Sequence, residues 1–574
     1  KDRETMTLAK YKELVSEYTN TSNHQTKELF RQTIEGIKRA FKTELSNQFK
    51  EKLAKLRGKV IMLEGPTLFG ERTKAEKAEL KKLKEKLNIL EKEQEDIQKN
   101  KLYVDAFEWR FEFPQLFDKN GLFTGFDITI GNPPYNELRD LDLSMQTALK
   151  LSRHYEYAKG GRLNMFQFFY PLAINIARDN GIVSMITQNS ILAEDSALGN
   201  RKLFFAQTDI LSIDSFPERD NKNLRVFESA KMSVCICTLR RNNQPDAYKT
   251  IPINVWHSRF MQVKHKLNIT IKEIIEMYPE DFIIPISSNE KFSILKDIKQ
   301  KGQYHIIASA GEIDMTKYKS KFNNIGLGTR VITGAQIQRY YITDTPSQGN
   351  VIYINDQNKP GLSSKREQEV SNPRIVLQRI TGVDSKVRII STLINGHMYC
   401  ANSTNYIAND NSINIKYLLG VLNSSLVNFF IKQTSTNTNI TAKVLNSIPI
   451  IFPSTKMQEA IIRIVDYVLI IKSLPSDIII DQYVDNDVMA RQFENVIDAL
   501  IYELYFSDEF AQENISFVDS VLRDFQIINA NTESVVQIIL DTFTKLRSMD
   551  NDIRNNLKYM SIKLESLLAP IINI

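Results

Sequence analysis

Cysteine and tryptophan are scarce in this chain of 574 residues, with three of the first (Cys235, Cys237, Cys400) and two of the second. Three cysteines cannot build a disulfide framework, and their spacing offers no four-ligand zinc set, so no metal site and a reducing cytoplasm are expected. Long apolar runs are missing as well. Stretches such as Phe282–Ile286 and Tyr467–Ile471 fall far short of the roughly 20 residues that cross a bilayer, which argues against an integral membrane protein. Gly (21) and Pro (17) are too few for collagen-like or low-complexity sequence. The six histidines are scattered and form no evident catalytic group. The first residue is Lys1 and no signal-peptide pattern follows, so the sequence reads as a fragment or a processed product.

What is present is an ordinary globular composition, 42% hydrophobic and 25% charged, long enough for several domains at roughly 100–200 residues each. The net charge of +6 is unevenly placed. Residues 1–300 hold 48 Lys and Arg against 41 Asp and Glu, residues 301–450 hold 16 against 8, and residues 451–574 hold 10 against 19. The middle segment, also rich in Asn, Gln, Ser and Thr, has the profile of a polyanion-binding surface beside an acidic helical tail. Uneven surface charge without a ligand has the same profile.

Residues 1–57 carry apolar residues at helical spacing, with a break expected around Gly58–Gly70. Leu80, Leu83, Leu87, Leu90 and Ile97 then follow a short 3-4-3 pattern among Lys and Glu, suited to an antiparallel helical hairpin inside one chain. From Tyr103 the texture changes. Phe126–Ile130, Gly181–Thr187, Ile210–Phe216 and Met232–Leu239 read as strands, alternating with helices at Met165–Ala177 and up to Gln207. Such alternation predicts a mostly parallel α/β sheet. Residues 246–300 show no strong period and read as a connector. Residues 301–452 mix short strands (Val351–Ile354, Arg374–Ile380, Val387–Ile390) with polar turns, and Leu418–Ile431 reads as a core helix. After Pro453 the chain is helical almost to its end. The expected domains are thus 1–101, 102–245, 246–300, 301–452 and 453–574.

The stretch Gly125-Phe-Asp-Ile-Thr-Ile-Gly131-Asn132-Pro133-Pro134-Tyr135 carries the chemistry. A strand delivers Asn-Pro-Pro-Tyr at its carboxyl end, where open α/β sheets place ligand sites. Two prolines stiffen the loop. A stiff loop would hold the Asn132 side-chain oxygen and the Pro133 carbonyl as two acceptors for one amino group. That group's lone pair is then turned toward an electrophile, while Tyr135 stacks on the ring that bears it. The same residues also suit a plain rigid turn with a surface aromatic.

Asn132–Tyr135 resembles the catalytic motif of amino-group DNA methyltransferases, which use S-adenosylmethionine as methyl donor. Glu108-Trp109-Arg110-Phe111-Glu112-Phe113-Pro114 upstream, and Asn164-Met165-Phe166 and Gly181–Leu192 downstream, are similar to segments of the type IIG restriction–modification enzymes and their adenine-specific relatives. The resemblance implies a partial Rossmann-like methyltransferase sheet preceded by a helical arm. A mixed α/β target-recognition domain and a helical carboxyl-terminal region follow. It also implies that Phe227, before the strand Met232–Leu239, packs on the face of a flipped adenine opposite Tyr135; flipping is needed because a stacked base hides its amino group. The family's glycine-rich donor loop has no match upstream of Asn132. Gly65-Pro-Thr-Leu-Phe-Gly70-Glu71-Arg72 has P-loop glycine spacing, but Glu71 replaces the lysine that phosphate needs, so it reads as a turn. The nuclease echo Pro245-Asp-Ala-Tyr-Lys249 lacks an upstream acid.

In the basic segment, Gly328-Thr-Arg330, Gln336-Ile-Gln338-Arg339-Tyr340, Pro373-Arg374 to Gln378-Arg379, and Tyr417 to Asn423-Ser424 recur in this order in the family's recognition domains. Arg330, Arg339, Arg374, Arg379 and Arg388 are candidates for phosphates or guanine edges, and Gln336, Gln338 and Gln378 for adenine. The expected enzyme is the base-pocket and recognition part of an adenine-specific, cytoplasmic bacterial or archaeal DNA methyltransferase. Its expected partners are double-stranded DNA and a missing amino-terminal part or companion subunit, and the chain alone is expected to be inactive. The alternative is a non-catalytic specificity module of a restriction–modification complex. In both, affinity for mixed-sequence duplex DNA should fall with salt, with a log–log slope of about −0.9 per neutralised phosphate in an anisotropy titration.

Overall fold

The computed structural model describes residues 7–40, 47–65, 74–98, 107, 109–151, 153–158, 163–260, 262–381, 387–434, 439–475, 477–528 and 534–573. The chain forms two compact units, one of residues 1–129 with 174–182 and one of residues 130–173 with 183–574.

The first unit is mostly helical, with α1 (Leu8–Asn20), α2 (His24–Ala40), α3 (Asn47–Glu64) and α4 (Lys74–Gln98). The Thr7 hydroxyl accepts from the Lys10 N–H and caps α1. The arm differs from its sequence reading in two places. Thr21–Asn23 interrupts the first helical stretch, and α3 runs through Gly58 to Glu64. Gly58 has open space around it, and a solvated helical glycine costs only about 1 kcal/mol relative to alanine. The hairpin is as expected. Arg57 pairs with Glu91 at 2.9 Å and Glu64 with Lys84 at 2.5 Å, which sets α3 and α4 antiparallel. Leu53, Val60 and Leu90 are buried in the seam, with Leu80, Leu83 and Leu87 partly so. Phe113 packs edge-on to Phe126 at 5.0 Å, and Trp109 lies 5.8 Å from the same ring, so this upstream segment seats the start of the motif-bearing strand. Glu108, residues 66–73 and residues 435–438 lie outside the described residues.

The sheet beneath the site has six strands: β1 (Phe126–Gly131), β2 (Ala177–Gln188), β3 (Thr208–Phe216), β4 (Val234–Arg241), β5 (Thr250–Trp256) and β6 (Val263–Thr270), in the order β1-β2-β4-β3-β5-β6. It is mixed. β3 pairs antiparallel with β4 and parallel with β5, and β5 pairs antiparallel with β6. The expectation of a mostly parallel sheet is corrected, because β3 and β4 are joined by a loop rather than a crossover helix. Residues 246–300 are corrected too. They add two strands and the helices Ile271–Met277 and Asn289–Lys301. β5 alternates buried Ile251, Ile253 and Val255 with partly exposed Pro252, Asn254 and Trp256, a two-residue period obscured by the proline and by the lysines of β6.

Among the described residues the middle segment holds two four-stranded sheets and a two-stranded one, Ile337–Gln338 with Tyr341–Ile342. One of the four-stranded sheets is antiparallel, in the order Ser391–Ile394, Arg374–Gln378, Thr404–Ala408, Ala308–Ala310. The other runs Tyr399–Cys400, Thr329–Ile332, Ile352–Ile354, Phe322–Asn323. The strand expected at Val387–Ile390 falls instead at Ser391–Ile394, since the Arg388 N–H is taken by the Asn428 side chain. Leu418–Ile431 is two helices, Ile415–Leu422 and Ser425–Thr434, parted at Asn423, whose side chain bonds both ways with Ser391. The long helices Thr455–Ser473 and Asn486–Tyr505 follow. No helix of the described residues is long and apolar enough to cross a membrane.

Gly125 precedes β1 with φ +86°, and a Cβ there would stand 2.5 Å from the Arg178 nitrogen. Both the left-handed backbone and the contact exclude a side chain. Gly125→Ala should lower stability by about 2–4 kcal/mol, read as a lower denaturant midpoint. Gly121→Ala is the control, since it shares a positive φ but has open space, and it should lose about 1 kcal/mol.

Candidate functional site

β1 ends at Gly131, so Asn132–Tyr135 sits at its carboxyl end, with Pro133 buried, Tyr135 half-buried, and Asn132 and Pro134 exposed. Tyr135 is held at two points. Its hydroxyl donates to the Ile186 carbonyl in β2 at 2.9 Å, and its own carbonyl accepts from Asn164 Nδ2 at 2.7 Å. The chain after the motif pairs with the segment before the helix Phe166–Ile176. The Leu138 N–H donates to the Leu163 carbonyl and the Met165 N–H to the Asn136 carbonyl, both at 2.9 Å. Burial, and second the neighbouring Cys235, push the Tyr135 phenol up to about 12. It therefore stays protonated at neutral pH and keeps its bond to β2.

Asn164, marked in the sequence only by the resemblance of Asn164-Met165-Phe166, is a clamp in the structure. Its N–H donates to Gln167 Oε1 at 2.8 Å, just ahead of the helix Phe166–Ile176. Its side-chain amide is thereby free to reach back to Tyr135. Gln167 is in turn held by Asn200, whose Nδ2 donates to the Gln167 carbonyl at 2.8 Å, and both are buried. The spacing Asn-x-x-Gln was the available signal. Asn164 Oδ1 is buried and, among the described residues, accepts no hydrogen bond; a water or an incoming N–H is the kind of group that satisfies such an oxygen. Arg201, likewise unmarked in the sequence, is fully buried and donates to the carbonyls of Ile191, Glu194 and Asp281. Burial lowers it to about 10, and it braces the loop that leaves β2.

Phe227 meets Tyr135, as expected from the resemblance. The ring centroids lie 6.1 Å apart at 62°, and Phe166 touches Tyr135 edge-on at 6.2 Å. This is edge-to-face packing, not a parallel sandwich, so a base entering between the rings requires one of them to turn.

S-adenosylmethionine does not fit a site built from the described residues alone. Among them no strand precedes β1 in the chain, and β1 stands at one end of the sheet order. The strand-and-glycine turn expected for the donor is not formed by them. Ile128 and Ile130 on β1 are 65% and 80% exposed.

The basic residues of the middle segment divide sharply. Arg374 is buried in its strand, its guanidinium paired with the equally buried Glu312, donating to the Met398 carbonyl at 2.6 Å and lying over the Tyr406 ring. Arg388 is fully buried, its Nε donating to Thr381. Gln336 is fully buried and accepts from both the N–H and the hydroxyl of Thr333. Arg339 grips Glu494 with two nitrogens, and Gln378 donates to the Ile337 carbonyl at 2.7 Å. Arg374, Arg388 and Gln336, fully buried, have structural partners inside the fold, contrary to the expectation that they face DNA, whereas Arg339 and Gln378 keep partly exposed side chains beside their partners. Arg330, paired with Asp344, Gln338, and Arg379, which donates to the Asn402 carbonyl, remain partly exposed.

Comparison with known proteins follows the same order along the chain. Residues 2–222 match the family described as Eco57I restriction-modification methylase, and residues 329–450 match the TaqI-like C-terminal specificity domain. A protein named as a type II restriction enzyme and methyltransferase, from Methanocaldococcus jannaschii, is 23% identical over 456 residues, covering 73% of this chain and 34% of that protein. The chain thus spans about a third of the length of that curated relative. Among solved structures, the type IIL restriction–modification enzyme MmeI in complex with DNA has a TM-score of 0.41 at 14% identity, covering 73% of this chain and 57% of that one. The type IIG restriction endonuclease BpuSI has a TM-score of 0.28 at 11% identity, covering 68% and 57%.

Removing one partner of a buried ion pair strands the other. Arg374→Ala should cost about 3–5 kcal/mol of stability, seen as a lowered unfolding midpoint, and leave the salt dependence of DNA binding unchanged. A flatter salt slope with unchanged stability would return Arg374 to the DNA surface.

Proposed function

We propose that the chain carries the target-base pocket and the DNA-recognition part of an adenine-specific DNA methyltransferase of a restriction–modification system. S-adenosylmethionine is the methyl donor in this reading, with its main binding loop not supplied by the described residues. The observation that carries the reading is the doubly anchored Tyr135 at the end of β1 with Phe227 against it. A loop that only turned the chain has no need of an aromatic fixed from both sides. Asn132 and Pro133 accept the two amino hydrogens, Pro134 stiffens the loop, and Tyr135 and Phe227 hold the ring. Catalysis by this half is then positioning, without proton transfer by a side chain. Residues 301–452 read the sequence, with Arg330, Gln338, Arg339, Gln378 and Arg379 the candidates that keep exposed surface. The placement of the protein in the cytoplasm belongs to the same reading.

A second reading is a specificity module that binds DNA without methylating it, favoured by the lack of a donor turn among the described residues.

Long-read sequencing of DNA from host cells that carry the gene tests both. Methylated adenines in one sequence context are expected, and Asn132→Ala or Tyr135→Ala should cut the methylated fraction about a hundredfold or more, since misplacement of about 1 Å has that effect. Methylation that persists in both variants sinks the pocket assignment. No methylation, together with a DNA footprint over residues 301–452, supports the specificity module.

A further inference from the structure

The loop 217–233, which carries Phe227, and the turn between β5 and β6 form one basic lip. The Arg259 N–H donates to the Leu224 carbonyl at 2.9 Å, and the Arg259 guanidinium pairs with Glu228, the residue after Phe227. Arg225 donates to the Glu228 carbonyl at 2.5 Å and to the Arg219 carbonyl at 3.2 Å, closing the loop on itself. The turn is equally built. The His257 N–H donates to the Gln262 carbonyl at 2.7 Å, and buried Ser258 accepts from the Phe260 N–H. Beneath it Trp256 stacks on Phe216 at 6.0 Å and 11°, its indole N–H on Asp214. Residues 217–233 and 257–266 together hold seven Lys and Arg against three Asp and Glu.

A lone exposed aromatic is ordinary on a protein surface. Phe260 differs in its setting. It is 67% exposed, sits on a turn pinned to the Phe227 loop, and lies under the Arg259 guanidinium at 5.2 Å. An aromatic face inside a cationic rim is the pairing that holds unstacked nucleotides: bases stack on the ring while cations take the phosphates.

We propose that this turn is a second nucleic-acid contact, in which Phe260 stacks on a base of the DNA strand that enters the target-base pocket and the surrounding Lys and Arg take its phosphates. The inference rests on the reading of the chain as a DNA methyltransferase half, and adds a strand-holding site outside residues 301–452. An extruded nucleotide leaves its neighbours with an unstacked face, and the bonds of Arg259 to Leu224 and Glu228 tie the aromatic turn to the loop that carries Phe227.

The test uses the full chain with mixed-sequence single-stranded and duplex DNA bearing 5-iodouracil, photocrosslinked, digested with trypsin and mapped by mass spectrometry. Adducts are expected on the peptide that begins at Phe260. In anisotropy titrations Phe260→Ala should weaken single-strand binding about tenfold, Phe260→Trp should keep it, and Lys264→Glu should flatten the salt slope by about one. Crosslinks confined to residues 301–452, with Phe260→Ala binding both DNAs as the parent does, would overturn this inference and leave the methyltransferase reading standing. Failure to bind either DNA overturns both.

Discussion

The hydrogen bond from the Tyr135 hydroxyl to the Ile186 carbonyl ties the motif loop to the neighbouring strand, and the geometry of the pocket depends on it. A loop after a strand is otherwise free at its far end, prolines or not. Here the ring is fixed at its tip by β2 and at its root by Asn164, so Tyr135 is ordered before any ligand arrives. The raised phenol keeps that bond intact over the neutral range. Behind Asn164 stand Gln167 and Asn200, each held by the next. Order built this way is already present in the folded chain, so a ligand that met Tyr135 would not have to supply it.

Charge in the middle segment follows a different logic. Its excess of eight positive charges is partly an interior feature. Arg374 lies with Glu312 inside an antiparallel sheet, Arg388 is buried near the helix Ser425–Thr434, and Arg339 joins the sheets to the helix Asn486–Tyr505 through Glu494. In the Arg374–Glu312 and Arg339–Glu494 pairs desolvation offsets much of the attraction, so their net contribution to stability is small while both partners are present. The basic and amide side chains left at the surface are correspondingly fewer, Arg330, Gln338, Arg339, Gln378 and Arg379 among them.

Much of the framework was legible in the residues. Phe126–Ile130 and Ile210–Phe216 declared themselves through their β-branched and apolar residues, and the Leu80–Leu90 seam through its spacing of three to four, because burial of one helix face imposes that spacing directly. β5 and β6 were not legible. Pro252 and the run Lys264-His265-Lys266 break the compositional signal while the backbone still pairs. The reversal of β4 was hidden for another reason: strand direction is set by how the chain returns, which local periodicity does not encode. The helix break at Asn423 likewise depends on Ser391, 32 residues away.

From sequence alone came the kind of chemistry: a stiff Asn-Pro-Pro-Tyr loop at the end of a strand, an aromatic Phe227 downstream, and a basic segment between a helical arm and an acidic helical tail. These are local, since prolines restrict the backbone where they stand and charge adds up along the chain. Only the tertiary structure decided which side chains face outward. It brought Tyr135 and Phe227 to 6.1 Å, recruited Asn164 as a clamp, turned Arg374, Arg388 and Gln336 into the core, and set Phe260 beside the Phe227 loop. Burial and hydrogen-bond satisfaction are properties of contacts between distant residues, and they exist only once the chain has folded.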